Sequence, residues 1–151
     1  MARPAASTSD LPILRSRPAT DAYLALGAAA FLLAAHLLTP DPSGVGTHRQ
    51  ILPVPCFFLA LTHIPCPGCG LTTSVTWAAH GRLDRSFACH YLGPFLYFAG
   101  WLILIWSIGA AAFGLPSATH LFRRRGFLIA LLVLYLGAWI VRLSIVFLTR
   151  S

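Results

Sequence analysis

The chain has 151 residues, 57% hydrophobic and only 10% charged, against about 25% charged in an average soluble protein, so it reads as a single membrane domain. All 11 basic residues are arginine, glutamate is absent, and the acids are Asp10, Asp21, Asp41 and Asp84, which leaves no material for a hydrolase built on paired carboxylates. The net charge of +7 does not mark a nucleic-acid partner, because the arginines cap apolar runs instead of forming one basic face and no nucleic-acid-binding motif is present.

Residues 1–20 are rich in Ala, Pro, Ser and Arg without an apolar period and read as a disordered or loosely attached tail. A single membrane domain is expected over 21–150. Its first span is predicted over 21–39, close to the roughly 20 residues a helix needs to cross a bilayer. The arginines ahead of it also suit a signal peptide, but the long leading tail and the lack of a small-x-small cleavage site favour a retained anchor. His36 lies near the end of this span. A histidine there is either a ligand for haem or a chlorophyll-type pigment, or a hydrogen-bonding partner of a neighbouring helix, the commoner case. Gly27, Ala28, Ala29, Ala30, Ala34 and Ala35 allow close helix approach. TPDPSGVG, 39–46, then opens a loop.

The stretch 51–65 is apolar but short and proline-marked, so an interfacial or re-entrant segment is expected over the cysteine-bearing part, 51–81. A hairpin in which this segment and the following helix both cross is the alternative. Within it, HIPCPGCGLTTSVTWAAHG places Cys66 and Cys69 in a Cys-x-x-Cys pair. Pro67 and Gly68 forbid a regular helix through the pair, a helix is predicted from Leu71 to His80, and Gly81 stops it as a cap. Cys69 is placed at or near the helix start, where free N–H groups and the positive dipole end favour a thiolate. Cys69, Thr73, Thr76 and His80 share one helical face, with Leu71, Val75 and Ala78 opposite. Eleven residues at about 1.5 Å each put His80 about 16 Å from Cys69, too far to share one ion.

Three readings of the motif follow. A metal site would use Cys56, His63, Cys66 and Cys69, a set suited to zinc or, through its thiolates, to copper(I). A thiol–disulfide oxidoreductase would use Cys66 and Cys69 with Cys56 as resolving thiol, although no thioredoxin-like pattern surrounds them. A structural turn or disulfide would need only the geometry of Pro67, Gly68, Gly70, Thr72 and Gly81. Cys89 and His90 are expected at the interface, and His48 and His120 in loops.

The second span is predicted over 91–114 and the third over 127–148, the latter carrying Arg142. Arg142 either snorkels to the interface or pairs inside the bundle with Asp84, a carbonyl or an anionic ligand. Arg123, Arg124 and Arg125 in the intervening loop join Arg3, Arg15 and Arg17 on one side, against Arg49, Arg82, Arg85 and Arg150 on the other. The positive-inside rule then sets the N-terminus in the cytoplasm and the cysteine motif toward the outer face of a bacterial inner membrane.

The run Cys56, Ala60-Leu61-Thr62, Pro65-Cys66-Pro67-Gly68-Cys69-Gly70-Leu71-Thr72 and His80-Gly81 resembles the bacterial membrane-protein family numbered 2752 among the domains of unknown function. The resemblance covers about residues 51–105 and implies a small multipass protein without an assigned reaction. This chain carries Thr73 where many members have arginine, His90-Tyr91 where an Asn-Pro or similar pair is usual, and a His63 of its own. The expectation is an all-α membrane bundle of three spans plus the cysteine segment. It acts as a non-enzymatic protein that binds other membrane subunits or stabilises a complex, with the redox and metal readings as alternatives.

Overall fold

The computed structural model describes residues 18–62, 64, 66–113, 115–116 and 125–150. Six α-helices and one 3₁₀ turn make up the described residues, and no strand occurs among them. Most of the N-terminal tail, the loop arginines Arg123 and Arg124, His120 and His63 lie outside the described residues.

Helix α1 is Pro18–Leu37. A proline is accommodated at a helix start because its missing N–H has no intrahelical role there, and the helix ends just before Pro40 and Pro42, which disfavour continuation. A 3₁₀ turn, Thr47–Gln50, follows. Three short helices come next: α2, Phe57–Thr62; α3, Leu71–Ala79; and α4, Leu83–Cys89. Two long ones complete the order: α5, Leu92–Phe113, and α6, Arg125–Arg150. Three helices are long and apolar enough to cross a membrane, over Ala19–Leu37, Leu92–Phe113 and Arg125–Ile145. With six and nine residues, α2 and α3 fall short of that length.

Helices α1 and α5 pack against each other along stripes of small residues. Ala28 and Ala35 are buried on α1, and Gly93, Gly100, Ser107 and Ala110 on α5. Spacings of seven bring these positions to one face, where their size lets two backbones approach closely. His36 lies beside Tyr97 and Phe31 beside Gly100, so α1 and α5 run antiparallel and leave residues 38–91 at one end of the pair. Helix α3 packs on both of them there.

The outer faces are apolar. Tyr23, Leu26 and Leu33 of α1 and Phe95, Leu102 and Ile105 of α5 are exposed, as expected where lipid tails and not water form the surroundings. Helix α6 is covered only along a stripe that includes Tyr135, Ala138, Trp139 and Leu143. Arg142 falls within α6, and the Asp84 proposed as its partner instead forms an ion pair with Arg82 at 3.0 Å.

Candidate metal centre

The cysteine segment is anchored before it is functional. Helix α3 is buried around most of its girth: Thr73, Ser74, Val75, Thr76 and Ala78 are all buried. The polar and the apolar face that the spacing gives are both covered, because neighbouring elements pack on both sides and absorb the hydroxyls. Ser74 Oγ donates to the Ser86 carbonyl at 2.6 Å and lies 2.8 Å from the His90 carbonyl, while Ser86 Oγ donates to the Ser74 carbonyl at 2.7 Å. Gly93 sits against Ser74 so closely that a Cβ there would collide with its hydroxyl. These contacts fix α3 to α4 and to the start of α5.

Both ends of α3 follow from glycine. Gly70, with φ 83°, is the residue before the first turn, a left-handed conformation that side chains resist. At the far end the Gly81 N–H donates to Ala78 and the Arg82 N–H to Trp77. This paired closure uses Gly81 as the left-handed cap that the sequence predicts. His80 is exposed there, and its Nδ1 lies 2.8 Å from the Thr76 carbonyl, occupied with its own helix.

Ahead of Gly70 the chain turns sharply, with the Cys69 N–H donating to the Cys66 carbonyl at 3.0 Å. From the next layer His90 Nε2 lies 3.0 Å from the Pro67 carbonyl, and the Leu92 N–H donates to His90 Nδ1 at 3.2 Å. Cys89 and His90, which directly precede the second span, are both buried within the protein, and His90 ties the cysteine turn to the start of α5. No local pattern announces this bond, because it joins residues 23 positions apart.

The turn brings three sulfurs together. Cys66 Sγ lies 3.0 Å from Cys69 Sγ and 3.5 Å from Cys56 Sγ, and Cys69 Sγ lies 3.4 Å from Cys56 Sγ. No disulfide joins any of the four cysteines. Cys89 stands elsewhere, beside Gly44 on a second cavity lined also by Trp77 and Arg85, with the Arg85 guanidinium 4.9 Å above the Trp77 ring. The circle through the three sulfurs has a radius of about 1.9 Å, so a point about 1.3 Å off their plane is about 2.3 Å from each, the zinc–thiolate distance.

The thiols differ in acidity, and at Cys69, one residue before the Gly70 cap, burial outweighs the effect of the helix start. Cys69 lies outside α3, and burial pushes its pKa up to about 12, with the neighbouring Cys66 and Cys56 thiols adding to the rise. Cys56 moves the other way: it precedes α2 and accepts from the Leu59 N–H, which lowers its pKa. Location at a helix start thus favours the thiolate at Cys56, while Cys69 pays the desolvation cost.

The three cysteines line a cavity of about 370 Å³, together with Gly68, Gly70, Thr72, Leu52, His48 and Arg49 among others. His48 and Arg49 come from the 3₁₀ turn, which sequence reading places in an undistinguished loop. The only available signal is the Gly46 break before it, too common to single out. On the first span, His36 Nδ1 lies 2.8 Å from the Leu32 carbonyl and Nε2 3.5 Å from the Tyr97 hydroxyl. This places the ring between its own helix and α5.

Residues 56–104 match the model of a family described as "Protein of unknown function (DUF2752)", the family the cysteine motif resembles. All three converging cysteines lie within the match and His48 precedes it. No curated protein and no solved structure matches the chain.

Proposed function

We propose that this is a small, non-enzymatic integral membrane protein built around a metal centre, in which Cys56, Cys66 and Cys69 hold one zinc(II) or copper(I) ion. The observation that carries the reading is the near-equilateral sulfur triangle, with sides of 3.0, 3.4 and 3.5 Å. Thiolates suit both ions, and three of them converging on one point form a donor set. The ion would bind the segment before α2 to the turn before α3. That makes a rigid face at one end of the α1–α5 pair for other membrane subunits to dock on.

The buried Cys69 weighs against thiol–disulfide exchange as the main function, because a thiol held protonated is a poor nucleophile.

The proposed setting is a bacterial inner membrane with the N-terminus in the cytoplasm and the metal centre near the outer face. The arginine distribution of the chain supports it. Metal analysis of the full chain purified in detergent after expression with zinc, or with copper under reducing conditions, tests the function. One ion per chain is expected in the parent and in Cys89→Ser, and a small fraction of that in Cys56→Ser, Cys66→Ser and Cys69→Ser. Metal-free parent protein with a stable Cys66–Cys69 disulfide would overturn the reading.

A further inference from the structure

We infer that His48 is the fourth ligand of this centre and that the ion it completes is zinc, an inference that rests on the metal reading of the three cysteines. The three cysteines line the 370 Å³ cavity, so an ion seated on their sulfurs from the cavity side would have its open coordination position within it. Among the described residues lining that cavity, His48 is the one imidazole, and none is a carboxylate. Neutral imidazole is an ordinary partner of three thiolates at a tetrahedral zinc ion, whereas an all-thiolate set would suit copper(I) equally.

The ring nitrogens of His48 do not fall with the three sulfurs in the group of ligand atoms that lie within 4.8 Å of one another. Its backbone is nevertheless anchored beside the cavity they line. Thr47, the preceding residue, is fully buried. Its N–H donates to Thr73 Oγ1 at 3.4 Å, and its Oγ1 accepts from the Asp41 N–H at 3.0 Å. Ligation would draw on the half-buried His48 side chain, which turns about two torsions, carried by the 3₁₀ turn that these bonds anchor. Charge favours the same ion. Three thiolates and a neutral imidazole around zinc(II) carry one net negative charge, and Arg49 on the same cavity wall supplies one positive charge. Copper(I) on the same thiolates would leave two.

Zinc affinity of the full chain in detergent, read by competition with a chromogenic chelator, tests this, with cobalt(II) as the spectroscopic substitute for zinc. His48→Ala and His48→Asn are expected to weaken zinc binding by about 10- to 100-fold or more and to shift the visible bands of the bound cobalt(II). His63→Ala is expected to change neither. Unchanged affinity and spectrum in both His48 variants would overturn the proposal, and so would a loss confined to His63→Ala. A parent protein that takes up no zinc would instead remove the metal reading underneath, a result separable from either.

Discussion

At the scale of single residues, the site is governed by what burial does to each thiol. Metal binding to Cys69 must displace its proton, because that thiol stays protonated well above neutrality. Apparent zinc affinity should therefore rise by about tenfold per pH unit for each proton released, with Cys69 contributing one across pH 6 to 9; Cys69→Ser should lower the slope by one. Metal-free protein carries the opposite signature. The native Cys69 pKa of about 12 stands above the ordinary thiol value near 8.5. Its contribution to stability is thus fully present below about pH 8.5 and is lost as pH rises toward 12, which alkaline unfolding of Cys69→Ala against the parent would expose as a flatter curve. Ser74 offers a check independent of metal. Ser74→Ala removes the buried hydroxyl that bridges the Ser86 and His90 carbonyls while their backbone N–H donors remain, and should cost about 0.5–1.5 kcal/mol in thermal unfolding. The candidate ligands Cys66 and Cys69 were legible from the sequence because proline and glycine between them announce a turn. His48, which lines the same cavity, and His90, which bonds the Pro67 carbonyl, were not, since each comes from a distant segment with no local signature.

At the scale of elements, close helix approach depends on where glycine stands. Gly93→Ala should destabilise the protein by about 1–3 kcal/mol, because its methyl group would enter the buried, bonded Ser74. Gly100→Ala should cost less than about 1 kcal/mol. Its Cβ would come within 3.1 Å of the Phe31 ring, but that ring is 40% exposed and has room to give. Comparing thermal midpoints of the two variants checks the ordering, and equal losses would contradict it. The long helices were legible because twenty or so apolar residues in a row admit few other structures. The character of α3 was not. Its spacing gives an amphipathic face, yet α1, α4 and α5 enclose it, and serines and threonines can be buried on any side once carbonyls from neighbouring elements accept their protons.

At the scale of the whole molecule, α1 and α5 form an antiparallel core that carries the cysteine segment at one end, and α6 is exposed along most of its length, with Tyr135 on its half-buried stripe beside Gly68 of the cysteine turn. A lipid surround accounts for its exposed Leu, Ile and Val side chains. The proposed orientation makes Cys56 the thiol to label from outside: in intact cells, a membrane-impermeant thiol reagent should modify it in metal-depleted protein and leave it protected after zinc is restored. Labelling only after the cells are opened would reverse the topology. The central claim, three sulfurs around one ion, is tested most directly by X-ray absorption at the zinc edge of the loaded full-length protein. The account predicts three sulfur scatterers at about 2.3 Å and one nitrogen at about 2.0–2.1 Å. A shell made of oxygen and nitrogen alone, or one with a single sulfur, would contradict it.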